Sequence, residues 1–425
     1  MSGPLDDTKR STVARHAGLP TPSALSTFLK LAGVALAVLV ASSIAVATFI
    51  AVDVLNRVGD GAVALEGDAD VAPPSLGAYP DDEAFSILVV GTDECGEIST
   101  QLLGERCEDT DEGTRNDVNL LVHVSAAPRS VTVVSFPRDL MVEVPECTRE
   151  DGSTASAMSK APLNSVFDHG GISCIAQTVT LLSDIPIGFA AKISFDGVIE
   201  ITEAIGGVEV CVAGDGISDR QAGIDLPPGR HTITGADALA FIRTRHGVGD
   251  ESDLARISNQ QQYMSRLAKK ILSAETLTDP AKALRLANTV ADNIVPSESL
   301  SNPLTIGQLA LALRGVPFSD FVFVQYPNLD DPDNPGIKVV PDYDAAEPLW
   351  AALIAGEPIT LSGDVATNNS VELATPTDPA QPVESAAPET AAPETAAPEV
   401  RATLPPEISG QSVDQDTCSV GNQAD

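Results

Sequence analysis

The chain has 425 residues, with 60 Asp and Glu against 25 Lys and Arg, a formal net charge of −35 and a pI near 4.2. That balance excludes a nucleic-acid-binding protein, whose phosphate partners require a broad basic surface, and gives little attraction to anionic lipid. The length suits one large domain or two, with additional segments. Residues 1–30 are polar and carry Lys9, Arg10, Arg15 and Lys30. Residues 31–52 hold no charge and are rich in Ala, Val, Leu and Ile, matching the roughly 20 residues that span a bilayer. Lys30 before the stretch and Asp53 after it predict a single-pass helix with a cytoplasmic N-terminus and the rest of the chain outside. A cleaved signal peptide is the competing reading, but its apolar core is normally shorter. Residues 53–84, rich in Gly, Pro and Asp, read as an extracytoplasmic linker.

The globular part is expected over residues 85–362. Residues 86–91 (SILVVG), 118–124 and 131–136 read as buried strands, the last two joined by a turn at Ala127, Pro128 and Arg129. Residues 163–182 have a helical pattern broken at Gly170 and Gly171; 189–193 read as a strand, 195–205 as a helix, and 208–212 as a strand after Gly206 and Gly207. Further on, helices are expected near 280–293, 305–313 and 345–355, and strands at 321–325 and 337–340. Mixed strands and helices with buried apolar strands predict a three-layer α/β/α domain around a central mixed sheet. From about Gly363 the composition changes, and the AAPETAAPETAAPEV repeat gives residues 363–425 the reading of a Pro/Ala/Glu-rich disordered tail.

The six cysteines suit an exported, oxidised domain. Cys95 and Cys107 can close a short loop, Cys147 and Cys174 can form a second pair, and Cys211 and Cys418 are left over; spacing alone leaves the connectivity open. No CxxC motif or paired-histidine spacing points to zinc.

The most informative stretch is residues 235–262, GADALAFIRTRHGVGDESDLARISNQQQ. It reads as a short helix over 236–239, a strand at Phe241 and Ile242, a Gly/Asp loop, and a helix capped by Ser252 or Asp253 with Leu254, Ile257, Met264, Leu267 and Ile271 as its apolar stripe. Strand geometry would turn Arg243 and Arg245 to one face, and helix geometry stacks Arg256 on Gln260. Guanidiniums gathered in an acidic chain suit bidentate binding of phosphate oxygens; the plain alternative is ordinary surface ion pairs. Three clusters upstream sit at strand ends, where α/β sheets place ligands: Asp93 after the first strand, Arg115-Asn116-Asp117 before the second, and Pro137-Arg138-Asp139 after the third. Two carboxylates facing several arginines suit a pyrophosphate bridged by Mg²⁺.

In order and spacing this set resembles the LytR-CpsA-Psr family of cell-wall transferases. The resemblance covers roughly residues 85–272 and is carried by GTD ending at Asp93, Arg115 with Asp117, SFPRD over 135–139, Asn164 with Gly170 and Gly171, FDG over 195–197 with GGVEV over 206–210, AGIDLPPG over 222–229, and the ALAFIRTRH and ARISNQQQ runs. The N-terminal anchor matches too. The resemblance implies an extracytoplasmic, Mg²⁺-dependent phosphotransferase. It would move a glycopolymer from a polyprenyl-pyrophosphate carrier in membrane lipid to a wall acceptor, usually the muramic acid C6 hydroxyl of peptidoglycan, with a wall protein as the other acceptor. It implies Asp93 and Asp117 as metal ligands, and Arg115, Arg138, Arg243, Arg245, Arg256 and Gln260 around the pyrophosphate. Asp93 and Asp139 are the candidate general bases. Two other functions fit the same residues: hydrolysis of polyprenyl pyrophosphates, and non-catalytic binding or regulation of wall glycans. The chain departs from the family pattern at Asn116 (usually Ser or Thr), at Val118 (usually Thr), and at Pro162 (usually Lys, here two residues after Lys160). These departures leave the pyrophosphate residues intact and fall on acceptor contacts and loop geometry.

Overall fold

The computed structural model describes residues 61–66, 71–107, 114–273, 279–366, 369–374 and 401–422, with isolated positions at Leu25, 28–30, 32–34, Val38, Ser42 and Arg57. Most of the expected membrane-spanning stretch 31–52 lies outside these residues, and among the described residues no helix is long and apolar enough to cross a membrane. The larger compact unit begins at Val54.

Strands β1 (Phe85–Thr92), β2 (Asn116–Val124) and β3 (Val131–Phe136) form an antiparallel meander. Helix α1 (Val166–Ser183), strand β4 (Phe189–Ile193) and helix α2 (Phe195–Ala204) follow. Strands β5 (Val208–Ala213) and β6 (Gly229–Ile233) lead into helices α3 (Gly235–Arg243), α4 (Asp253–Ile271) and α5 (Pro280–Asn293). Strand β7 (Ile294–Pro296), helix α6 (Pro303–Leu313) and strand β8 (Phe321–Gln325) come next. Last are the hairpin β9 (Asn328–Asp330) and β10 (Val339–Pro341), helix α7 (Tyr343–Ala355), and strands β11 (Val371–Leu373), β12 (Gly410–Ser412) and β13 (Thr417–Val420).

Among the described residues, seven strands build one mixed sheet in the order β7-β4-β1-β2-β3-β8-β12, with β4 parallel to β1 and β8 parallel to β3. Alternation along β1 sends Leu88 and Val90 into one core with α1 and α7, and Phe85, Ile87 and Val89 into another with α4 and α6. Helices therefore cover both faces. A smaller sheet, β6-β5-β13-β11, backs a third core with α3.

Three expectations need correction. The predicted strand at Phe241 and Ile242 is the last turn of α3. Helical phase sends Ala238, Leu239 and Phe241 together into the interior, with Phe241 fully buried; that burial, worth roughly 2–3 kcal/mol for a large apolar side chain, outweighs the β-propensity of an FI pair. The linker over 53–84 is partly integral: Tyr79 is buried, its ring 4.8 Å from that of Phe85, and its hydroxyl accepts from Ala72 N–H at 3.2 Å. The disordered-tail expectation fails for residues 401–422. There Leu404, Ile408 and Val413 are buried, β12 joins the edge of the central sheet, and β13 is inserted between β5 and β11. All three disulfides form: Cys95–Cys107, Cys147–Cys174, and the two leftover cysteines, Cys211–Cys418.

Candidate functional site

The site lies at the sheet edge where β1 and β3 end and the antiparallel β2 begins. Gly91 lets β1 reach it: a Cβ there would fall 2.9 Å from that of Val118, so only glycine fits without displacing β2. Just beyond, Asp93 and Arg115 exchange main-chain contacts. Asp93 N–H donates to Arg115 O at 3.1 Å, and Arg115 N–H donates to Asp93 Oδ1 at 2.7 Å. Asn116 braces the same corner. Its amide donates to Asn119 Oδ1 and Leu163 O, and its Oδ1 accepts from Phe167 N–H at the start of α1. The departure at Asn116 is thus a structural fastener.

Asp117 and Arg138 form the centre. Arg138 Nη1 lies 2.9 Å from Asp117 Oδ1, while its Nε lies 3.4 Å from Asp253 and 3.5 Å from Asp139. Arg256, 6% exposed, contacts Asp253 at 2.7 Å and Asp117 at 4.0 Å. Burial raises the Asp117 pKa, but Arg256 and Arg138 together outweigh it and hold the carboxyl below its ordinary value. Burial tends to lower the Arg138 pKa, and Asp117, Asp253 and Asp139 more than reverse it. Asp93 moves the opposite way: burial, then the charge on Asp117, raise its pKa.

Two pockets flank this centre. The larger, about 470 Å³, is lined by Arg115, Arg138, Asp139, Asn164, Arg245 and Lys338, among others. The smaller, about 40 Å³, has Asp117, Arg243, Arg256 and Gln260 over Val118, Ile193 and Phe195. Arg243 lies 4.8 Å from the Phe195 ring centroid, a cation–π contact, and Gln260 Nε2 donates to Ile242 O at 2.8 Å. Because α3 runs on to Arg243, the two arginines do not share a strand face as expected: Arg243 ends the helix beside one pocket and Arg245 starts the loop beside the other. Val118 and Ile193 of the smaller pocket lie on the same sheet face as Ile87, Val89 and Val122, all apolar and half-buried.

Every predicted site residue therefore falls at this edge, although Asp93 lines neither pocket and contacts Arg115 instead. The plain surface-ion-pair reading does not describe Arg256, which is buried between two carboxylates. Sequence reasoning missed Asp253 as a site residue, since an acidic residue in a first helical turn reads as a cap. It also missed Lys338, whose Nζ pairs with Asp139 Oδ1 from the β9–β10 hairpin, and nothing in the hairpin's sequence signals that contact. Lys160, the nearest lysine to Pro162, is bound instead to Asp331 and Asp333.

These features define a mixed α/β domain with a guanidinium-lined double pocket at one sheet edge, floored on one side by apolar residues. The chain belongs to the LytR_cpsA_psr family, whose model matches residues 54–326. It is 29% identical over 271 residues to the cell wall biosynthesis protein LcpA of Corynebacterium glutamicum, covering 59% of this chain and 51% of that protein. It is 26% identical over 242 residues to TagT of Bacillus subtilis, a polyisoprenyl-teichoic acid–peptidoglycan teichoic acid transferase, covering 56% of this chain and 67% of TagT. The alignment thus spans about half the length of the corynebacterial relative. The crystal structure of protein gbs0355 from Streptococcus agalactiae has the same fold, with a TM-score of 0.50 at 21% identity over 64% of this chain and 88% of that one.

Proposed function

We propose that this protein transfers a glycopolymer from a polyprenyl-pyrophosphate carrier to the muramic acid C6 hydroxyl of peptidoglycan. The observation that carries the reading is the double pocket. Five arginines, Arg115, Arg138, Arg243, Arg245 and Arg256, surround it in a chain of net charge −35, and its smaller half is floored by Val118 and Ile193 of an apolar sheet face. A pyrophosphate with a polyprenyl tail matches that polarity: the tail along Ile87, Val89 and Val122, the lipid-side phosphate under Arg243, Arg256 and Gln260, and the glycan-side phosphate under Arg115 and Arg245. The name of the TagT relative points the same way.

In this reading the acceptor hydroxyl attacks the glycan-linked phosphorus. A new P–O bond forms, the bond to the lipid-side phosphate breaks, and polyprenyl phosphate leaves. The arginines stabilise charge that grows on the phosphoryl oxygens. Asp139 lines the larger pocket and takes the hydroxyl proton, with Lys338 holding one of its oxygens. Asp93 and Asp117 are a donor set that fits Mg²⁺: two adjacent carboxylates, one with its pKa raised by burial and by the other's charge. An ion held by these two carboxylates would complete its shell with phosphate oxygens and water. When bound, Mg²⁺ would neutralise phosphate charge. The three disulfides support an oxidising, extracytoplasmic location, with residues 31–52 as the anchor and residues 1–30 in the cytoplasm.

The test is to incubate the detergent-solubilised full chain with lipid-linked glycan, Mg²⁺ and peptidoglycan fragments, and read the products by mass spectrometry. A glycan–phosphate–muramic acid adduct is the expected product. Free glycan phosphate would mean hydrolysis, and unchanged donor would mean a binding protein.

A further inference from the structure

The segment read from sequence as a tail packs against two elements that each carry one of the site arginines. On one side it holds α4, the helix of Arg256 and Gln260. Gln262 Nε2 and Arg266 Nη2 both donate to Thr417 O, at 3.2 and 3.1 Å. Asp416 forms ion pairs with Arg266 and with Arg230 of β6. On the other side it holds the loop of Arg245. Gly249 N–H donates to Val420 O at 3.2 Å, and Asn422 N–H donates to Gly247 O at 3.0 Å. Asn422 Nδ2 donates to Glu251 Oε1 and to His246 O.

Glu251 passes this hold to the arginine. It sits at φ +66°, a backbone conformation that non-glycine residues adopt only when their surroundings enforce it. In that conformation its carbonyl accepts from Arg245 Nε at 3.3 Å, while its carboxylate binds His246 Nδ1 at 2.8 Å as well as Asn422. From the opposite side the buried Asp219 Oδ2 accepts from Thr244 Oγ1, Arg245 N–H and His246 N–H. The segment itself is fixed by the Cys211–Cys418 disulfide, and by Gly421, which packs so closely on the Gly216 carbonyl that a Cβ would overlap it.

We infer that residues 416–422 are a strap that sets the spacing of the pyrophosphate-binding arginines, and that Asn422 is the positioning residue for Arg245. The strap joins α4 to the Arg245 loop, so Arg256 of the smaller pocket and Arg245 of the larger share one support. Asn422 lines neither pocket and reaches Arg245 through Glu251 and through the loop carbonyls of His246 and Gly247. This inference rests on the pyrophosphate reading of the site.

The experiment titrates farnesyl pyrophosphate with Mg²⁺ into the full chain by calorimetry, comparing wild type, Asn422→Ala, Arg245→Ala and the double variant. Loss of one hydrogen bond that orients a ligand group weakens binding by roughly five- to tenfold. Asn422→Ala should show that loss, and the double variant should bind no more weakly than Arg245→Ala alone, because the two act through one group. The isosteric Asn422→Asp, which sets a carboxylate against Glu251, should lose as much as Asn422→Ala. Amide exchange should quicken at residues 245–251 in both Asn422 variants and stay unchanged in the central sheet. Wild-type affinity in both Asn422 variants, or a full additional loss in the double variant, would overturn the strap alone. No binding by wild type would overturn the site reading, and the strap with it.

Discussion

Arg256 and Arg245 occupy different surroundings, and their removal should have different consequences. Arg256 is buried, its guanidinium 2.7 Å from Asp253, itself 11% exposed at the side chain, and 4.0 Å from Asp117. Arg256→Ala leaves two poorly solvated carboxylates with Arg138, and at Asp117 also Arg243, as remaining cations, and breaking a buried pair from one side costs about 3–5 kcal/mol. For a domain of this size that is a fall in melting temperature on the order of 10 °C. Arg245 is half-buried in a loop, and its side chain is held through the Glu251 carbonyl. Arg245→Ala should leave the melting temperature within a few degrees. On the proposed pyrophosphate reading both substitutions remove a phosphate contact, which costs roughly 2–4 kcal/mol of transition-state stabilisation, or about 10²-fold in rate. Arg245→Lys should also be poor, because a point charge does not replace a planar fork. Calorimetric melting and transferase rates measured on the same preparations separate the two effects. An Arg245→Ala variant that is fully active but melts early would refute the argument, as would an Arg256→Ala variant with an unchanged melting temperature.

Other expectations follow from single contacts. His123 is buried beside Ser86 Oγ, far from the arginines, and burial lowers its pKa to about 4. Above its ordinary value near 6.5 neither the folded nor the unfolded chain protonates it. As pH falls from 6.5 toward 4 the unfolded chain takes a proton that the folded chain refuses, so up to about 3 kcal/mol of stability is lost in that window. The melting temperature of His123→Gln should therefore fall less steeply than that of wild type over this pH range. Lys338→Met frees one oxygen of Asp139 and should lower kcat roughly tenfold with little change in the donor KM or in melting temperature, since the pair is partly solvated. Chelation by EDTA should stop turnover and added Mg²⁺ restore it. Asp93→Asn should raise the Mg²⁺ concentration needed for half-maximal rate by on the order of tenfold or more.

The sequence was most legible where one physical signal dominated. Strands 131–136 and 189–193 are short apolar runs bounded by turn residues, and they form as read. The break at Gly171 appears at a positive φ inside α1. Phe241 was misread because a two-residue apolar pair fits both periods, and only the second sheet, unknown from sequence, decides between them. Residues 401–422 were hidden by the Pro/Ala/Glu repeat before them: their alternation is too short to stand out, and their partner strands β5, β8 and β11 are scattered along the chain before that repeat, with Cys418 separated from Cys211 by 207 positions. The site residues could be found because motif order carries information beyond each motif. Asp253 could not, because an acidic residue in a first helical turn reads as a cap, and Lys338 and Asn422 could not, because each acts through a long-range contact with no local pattern. Asn116 read as a departure in a motif and proves to be a buried fastener.

The most direct test of the account follows the phosphorus. A donor labelled at the glycan-linked phosphate is given to the full chain with Mg²⁺ and peptidoglycan fragments, and the label is traced. The account predicts that it arrives in a phosphodiester at the muramic acid C6 oxygen, that polyprenyl monophosphate is released unlabelled in equal amount, and that Arg245→Ala slows both about 10²-fold. Label recovered as free glycan phosphate with acceptor present, or label retained on the polyprenyl product, would contradict it.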